Sequence, residues 1–553
     1  MRHGTAVQAA ALGAAAFAVA FALAAQSDRM GLTFEFPGDA DVAREIARGN
    51  GIRGHVLYPS VLAWGDAAGV EIGPGGTYPV MNRHPGFAAA LAPFVGLLGG
   101  GDLAVHAGLA AFFGLWVAIS HAVLAGIIGR RLALLAALLL LANPAFLRFL
   151  VPGGYADVLF AALVLPFLAW GARMIADGDA RPGRWALLGL LGAAAWSVRF
   201  NFGLFPVVIG AAVLLVRRDR AGVVAVAALA AGYVAGTLPL KAWHAWTFAT
   251  TESPPTLWNL LDGFPGYAAP WKQYRMHGIA DLLDTGLWRP WLTDKVPYFL
   301  YLTAKSLPGA FLYVALFPFL LAALVMPDAD PRRRRFLGVS AAAAAAMAVV
   351  MAGLRFEEWP APGGRSIGLR YLAWFAPVLA GFGLHGLSTL LSGRPPLARR
   401  AAWAAVIGVQ AIWLAAHWGP LDEVYKTRGR FEDLPAARAL AEADAGGRTA
   451  RDRPIATNVP AQVGWYLDRP AVLLPATPPE MAFIRERHAV AGYLFTDLDI
   501  GEPLSYGAWR DVLGRPEALA PFLEAQGLEV AWRDADSVLL LPRQPRTAGS
   551  PGT

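Results

Sequence analysis

The chain has 553 residues, of which 56% are apolar and 16% charged, with a net charge of +7 and no cysteine. So much apolar sequence exceeds what a soluble core of this size would bury, and it marks a polytopic helical membrane protein. The missing cysteine excludes disulfides, thiolate metal sites and thiol nucleophiles, and arginines gathered in short loops rather than on one basic face speak against nucleic acid as a partner.

In chain order, the first apolar run, Thr5 to Ala25, follows Met1-Arg2-His3. At about 21 residues it is long enough to span a bilayer and too long for a typical leader, so it is expected to stay as an anchor. Behind it, Gly38-Asp39-Ala40-Asp41-Val42-Ala43-Arg44-Glu45-Ile46-Ala47-Arg48 opens a short amphipathic helix with two carboxylates at the membrane surface. Segment 86 to 98 is apolar but short and bounded by Gly and Pro, as expected of an interfacial helix. Further apolar runs lie at roughly 103 to 128, 132 to 150, 156 to 175, 184 to 199, 202 to 217, 221 to 240, 300 to 326, 336 to 354, 370 to 391 and 401 to 417, which brings the count to about eleven spans.

Arginines crowd alternate connections: Arg130-Arg131, then Arg173, Arg181 and Arg184, then Arg217, Arg218 and Arg220, then Arg332 to Arg335, then Arg394, Arg399 and Arg400. The positive-inside rule assigns these loops to the cytoplasm, with the N-terminus inside and the C-terminus outside. The outer face then holds loops 26–101 and 241–298, the turns at Asp157 and Arg199, the stretch from Arg355 to Arg370, and everything after Trp418. Past Pro420 the composition becomes that of a soluble domain. Short β-like runs (454–458, 471–474, 492–495, 528–532, 537–541) and helical patterns (478–488, 509–526) predict an α/β unit of about 130 residues. The expected division is 1–418 for the membrane domain, 419–545 for the outer α/β domain and 546–553 for a Pro/Gly/Ser-rich disordered tail.

Several local patterns in this order resemble the GT-C membrane glycosyltransferases, in particular the branch with the protein O-mannosyltransferases and the aminoarabinose transferases. They are Asp39 with Glu45-Ile46-Ala47-Arg48 after the first span, Asn82-Arg83-His84-Pro85-Gly86 before an apolar helix, Asn143-Pro144-Ala145-Phe146, Asp157, Arg199-Phe200-Asn201 and Arg370-Tyr371-Leu372. The C-terminal stretches Ile455 to Pro460 and Gly464 to Pro470 resemble the outer domains appended to many such enzymes. Two departures stand out. The residue after Asp39 is Ala40 where relatives often carry a second acid, and Gly86 replaces the second proline of the turn.

The resemblance implies an all-α polytopic membrane domain followed by a small α/β domain in the cytoplasmic (inner) membrane. It also implies transfer of a sugar from a polyprenyl phosphate to an acceptor hydroxyl on the outer face, with inversion at the anomeric carbon. The donor is then a polyprenyl-phosphate sugar and the acceptor a glycan, lipid or protein. No cofactor or metal is assigned, although a divalent cation stays open. A single displacement with a phosphate leaving group needs one general base.

The resemblance makes Asp39 that base and Asp41 its reserve. The residues themselves leave an N-cap role for Asp39 and a first-turn role for Asp41 equally open. The leaving phosphate calls for cations at outer span ends, for which Lys305, Arg370 and Arg199 are the candidates; snorkelling, or an ion pair of Arg199 with Asp157, would explain them without a ligand. Arg83 and His84 are weaker candidates for substrate contact, and so are Trp258, Trp271 and Tyr274 within an aromatic-rich loop that would serve equally as an interfacial belt. Two other readings remain. A polymerase or ligase using lipid-diphosphate donors would not need its acid just after the first span. A transporter or flippase calls for midplane charges and repeated halves, neither of which the sequence has.

Overall fold

In lipid every backbone polar group must find its partner within the chain, so the apolar runs can only be helices. The computed structural model describes residues 3–26, 36–81, 85–151, 153–249, 261, 264, 274, 279–306, 311–354, 367–418, 431–496, 507–534 and 537–543. Helix α1 (His3–Gln26) leads into a segment made of α2 (Phe36–Ala47), β1 (Arg53–Gly54), β2 (Val56–Leu57), α3 (Pro59–Ala67), β3 (Tyr78–Pro79) and α4 (Pro85–Leu98). The bundle continues with α5 (Asp102–Ile128), α6 (Arg130–Leu141), α7 (Asp157–Ala176), α8 (Pro182–Val198), α9 (Leu204–Val216) and α10 (Arg220–Phe248). It closes with α11 (Ile279–Asp284), α12 (Trp288–Pro290), α13 (Val296–Ser306), α14 (Phe317–Val325), α15 (Pro331–Gly353), α16 (Ala376–Leu390) and α17 (Pro396–Ala416).

Among the described residues, seven helical stretches are long and apolar enough to cross a membrane: Gly4–Ala25, Asp102–Ile128, Arg130–Arg148, Asp157–Ala176, Arg220–Phe248, Pro331–Gly353 and Arg370–Leu390. The runs expected at 184–199, 202–217 and 401–417 are helical too, as α8, α9 and α17. Helix α5 packs against α1, α6 and α7, while α8 and α10 lie backbone to backbone. A Cβ at Gly232 would collide with the carbonyl of Ala186, and one at Gly189 with that of Leu229, which is the close approach small residues allow between helices in lipid.

The run at 300 to 326 differs from its expectation as a single span. Helix α13 ends at Ser306 and α14 begins only at Phe317. Between them Phe311 and Leu312 hold φ values of +56° and +59°, a region bulky residues rarely enter. The Asn143 amide donates to the Phe311 carbonyl and the Gln410 amide to the Leu312 carbonyl, so two other parts of the bundle hold the break open. Pro308-Gly309 is the turn signal that the apolar composition masked.

The C-terminal unit contains α18 (Pro435–Ala445), β4 (Ile455–Thr457), α19 (Pro460–Leu467), β5 (Ala471–Leu473), α20 (Glu480–Arg487), β6 (Gly492–Thr496), α21 (Gly507–Gly514), α22 (Pro516–Gln526), β7 (Leu528–Arg533) and β8 (Ser537–Pro542). Its sheet runs β2-β5-β4-β6-β8-β7, parallel from β2 to β6 and antiparallel thereafter. Both faces are covered, because side chains alternate along each strand. On β8, Val538 and Leu540 join one core with Met481, Trp509 and Leu519, while Leu539 and Leu541 join another with Ala437, Leu440 and Val463. One edge strand, β2, comes from the segment between α1 and α5 near the N-terminus, and Val61 and Leu62 of the following α3 enter the first of these cores. The sheet is therefore not confined to the sequence after Pro420. Residues 546–553, expected as a disordered tail, lie outside the described residues.

Candidate active site

Helix α2 starts earlier than the sequence suggested. Pro37 sits in its first turn, where a missing N–H costs nothing, so the helix opens at Phe36 and Asp39 falls inside the first turn rather than at the N-cap. The capping role is thereby replaced by a first-turn position, where a carboxylate is favoured by the helix dipole. Helix α2 is buried nearly throughout: Asp39 is 7% exposed, Asp41 0%, Arg44 9% and Glu45 1%. Four ionisable side chains removed from water on one short helix demand partners.

Asp41 is saturated. Its Oδ2 accepts from the backbone N–H of His55 at 2.5 Å, and its Oδ1 lies 2.6 Å from Nη2 of Arg44 and 2.8 Å from Nδ1 of His55. Burial alone would raise its pKa. The hydrogen bond and charge of His55, the charge of Arg44 and the His55 backbone N–H outweigh burial and hold it below the usual 3.8. Burial would likewise lower His55, but its hydrogen bond and charge pairing with Asp41 raise it above 6.5. A carboxylate can only accept, so Nδ1 of His55 donates to Asp41.

Arg44 then crosses to the C-terminal unit. Its Nη1 donates to the Trp465 carbonyl and its Nη2 to the Gly464 carbonyl, both at 2.8 Å, while the guanidinium lies 4.8 Å from the Trp465 ring centre. Nη2 also reaches Oδ1 of Asp468 at 3.0 Å. Arg48 bridges Glu45 (2.8 Å) and Asp468 (3.1 Å), and Asn50 donates to the other oxygen of Glu45 at 2.7 Å. Glu45, His55 and Asp468 bring ligand atoms within 4.8 Å of one another, a spacing open to a metal ion. Arg48 pairs with both of these carboxylates, and Arg44 with Asp468 and Asp41.

The cation candidates divide. Arg199 lies 3.2 Å from Asp157, as the ion-pair alternative had it, and its guanidinium also stacks 4.5 Å from the Tyr371 ring centre. Arg370 lies 4.5 Å over Tyr155 and 5.1 Å from Tyr371, donating to the Tyr371 hydroxyl at 3.1 Å. These five residues converge from three connections of the bundle. Helix α4 packs against both α2 and α8, and its Gly86 abuts Ser197 and Val198 just before Arg199, so one helix separates the acid-bearing helix from the cation cluster. Lys305 stands apart from that cluster, exposed in the last turn of α13.

Tyr274 is committed elsewhere. Its hydroxyl donates to Asp66 of α3 and accepts from Nη1 of Arg487 at 3.1 Å, while His488 meets the same Asp66 at 2.9 Å. Burial, then the bond to Asp66, pushes the phenol up to about 12, and the residue pins α20 to α3 rather than lining an open groove. Arg83, His84, Trp258 and Trp271 lie outside the described residues, as do Glu357 and Glu358.

Sequence reasoning missed Arg44, His55, Asp102, Gly464, Trp465 and Asp468. The spacing of Asp41 and Arg44, three apart on a helix, was a signal within reach. His55 meets Asp41 from 14 residues away, and the remaining four meet their partners across hundreds of residues and leave no local trace.

No protein-family model matches the sequence, and neither does any curated protein. Solved structures do match. ArnT from Cupriavidus metallidurans bound to undecaprenyl phosphate overlays with a TM-score of 0.51 at 15% identity, over 98% of this chain and 98% of that one. The same protein in its apo state gives 0.51 at 16% identity, over 96% of each chain. The chain has the GT-C fold. That GT-C architecture extends over the whole length, from α1 to the C-terminal sheet, and agrees with what the local sequence resemblance implied.

Proposed function

We propose that this chain is an inverting membrane glycosyltransferase that moves a sugar from a polyprenyl phosphate to an acceptor hydroxyl on the outer face of the cytoplasmic membrane. The observation that carries the reading is a buried acid, Asp39, in the first turn of the helix behind the first span, in a fold whose solved example holds undecaprenyl phosphate. Of the two acids, Asp41 is the poorer base: a carboxylate that accepts three hydrogen bonds and has a lowered pKa takes up a proton reluctantly.

In the proposed reaction Asp39 accepts the acceptor's hydroxyl proton as that oxygen attacks the anomeric carbon. The bond from that carbon to the phosphate oxygen breaks, and its electron pair leaves with the lipid phosphate. Arg370 supplies fixed positive charge for the phosphate, with Tyr155 and Tyr371 holding its guanidinium in place, while Arg199, paired with Asp157, contributes less. Lys305, exposed one helix away, is a lesser contributor. The reading needs no cofactor beyond the lipid-linked sugar, and it places the N-terminus in the cytoplasm and the C-terminal unit outside.

The test is release of undecaprenyl phosphate by purified protein from a panel of undecaprenyl-phosphate pentoses and hexoses with hydroxyl acceptors. Asp39→Asn is expected to lower turnover by about 10²- to 10⁴-fold, the usual worth of a general base. Full turnover by that variant overturns the base assignment. Movement of intact lipid-linked sugar across proteoliposomes, without cleavage, overturns the enzyme reading altogether.

A further inference from the structure

We infer that helix α19 of the C-terminal unit positions the acid-bearing helix α2, so that Arg44, Asp41, His55 and Gly464 are positioning residues for Asp39; this rests on the role proposed for Asp39 above. Helix α2 has twelve residues, a length at which an isolated helix is marginal in water. Beside its packing on α4 and the His55 contact, part of what fixes it comes from a segment more than 400 residues away.

The contact is built on a helix terminus. Gly464 and Trp465 lie in the last turn of α19, whose final carbonyls have no partner within the helix. Arg44 donates to both, and a cation there also meets the negative end of the helix dipole. Asp468, in the left-handed region with φ of +49°, ends α19 and turns its carboxylate towards Arg44, in the last turn of α2, and Arg48, just beyond that helix. Arg44 of α2 thus caps the C-terminus of α19, and Arg48 adds a link through the Asp468 carboxylate.

Gly464 allows the fit. A Cβ at that position would lie 3.3 Å from the His55 Cβ, 3.4 Å from Val56 Cγ2 and 3.7 Å from Asp41 Oδ2, so any larger side chain wedges α19 away from the Asp41–His55 pair. On its other side α19 is anchored to the membrane bundle. Trp465 Nε1 donates to Asp102 Oδ1 at 2.7 Å and the Tyr466 hydroxyl to Asp102 Oδ2 at 2.9 Å, at the first turn of α5. Helix α19 therefore ties α2 to the start of a membrane span. Asp39 is two residues from Asp41 on the same turn, so movement at Arg44 is transmitted to the carboxylate.

The experiment compares Gly464→Val and Arg44→Lys with Arg438→Ala, an exposed ion pair of α18, as the control. Lysine keeps the charge but cannot serve two carbonyls and a carboxylate as a fork does. For both variants the expected result is a kcat lower by roughly 10- to 100-fold, because small misplacements of a reacting group are that costly, with KM for undecaprenyl-phosphate sugar little changed. Amide hydrogen exchange across residues 36–47 should quicken while the spans stay protected. Arg438→Ala should match the wild type in both measurements.

Loosened α2 amides with wild-type kcat would overturn the positioning role. Unchanged exchange across α2 in both variants would overturn the docking itself. Should valine prevent folding, Arg44→Lys, which adds no bulk, decides the matter by the same measurements. Wild-type turnover by Asp39→Asn would sink the base assignment alone, since the exchange experiment reads the α2–α19 contact without reference to it.

Discussion

The two ends of the bundle carry similar ion pairs put to different use. At the end bearing α2, Asp41 is fully buried and the side chain of Arg44 is 11% exposed, and their partners come from the stretch after α2 and from α19. At the other end, where α7 finishes and α8 begins, Arg181 and Arg184 pair with Asp179 and Arg332 pairs with Asp177, all through arginines that are about half or more exposed. Most of that second set joins near neighbours in sequence. Buried pairs that join distant segments specify how parts of the chain meet; exposed pairs between neighbours contribute little stability.

The sharpest way to break this comparison is to remove charge at the buried end. Asp39→Asn should be the most damaging change to turnover, as set out above. Asp41→Ala should instead act on folding, since it strands His55 and Arg44 without their carboxylate in a buried site. The expected loss is about 3–5 kcal/mol, read by chemical or thermal unfolding in detergent. A loss under 1 kcal/mol would show that water reaches the cluster and that the two ends are alike.

The same cluster predicts a pH window. His55 holds its proton more tightly folded than unfolded, so its contribution is complete below pH 6.5 and fades as pH rises through its raised folded value. Asp41 is the reverse: its contribution is complete above pH 3.8 and fades as pH falls through its lowered folded value. Thermal stability should therefore fall on the alkaline side of that window in the wild type. His55→Gln should be less stable but should lose the alkaline decline; an unchanged decline would assign it to another group.

Arg370→Ala tests the cation cluster. Losing one charge-assisted contact to a phosphate should raise KM for the lipid-linked sugar by roughly 10- to 100-fold with less effect on kcat. An unaltered KM would leave Arg370 a structural residue beside Tyr155 and Tyr371.

How much of this could be read beforehand follows the range of the interactions. Apolar period and length announced the helices, and alternation announced β4 to β8, because those signals are local. The break between α13 and α14 was hidden, since Pro308-Gly309 is short punctuation in a long apolar run and Asn143 and Gln410 complete it from elsewhere. Strand β2 was invisible at two residues. Asp39 and Asp41 stood out as acids after a span, yet their difference in role lies in His55 and Arg44, and Arg44 in turn depends on carbonyls of α19. No sequence window contains both halves of that contact.

The smallest expected effect belongs to the exposed end and is needed to complete the contrast. Arg332 is 57% exposed and its partner Asp177 34%, at 2.8 Å. Water screens both charges, and holding a long side chain in one place offsets most of the attraction, so Arg332→Ala should cost under about 1 kcal/mol and leave turnover unchanged. Unlike most pairs at that end, this one joins α15 to the α7–α8 turn, far apart in sequence. If its loss proved as destabilising as that of Asp41, sequence separation rather than burial would be what makes an ion pair matter in this protein.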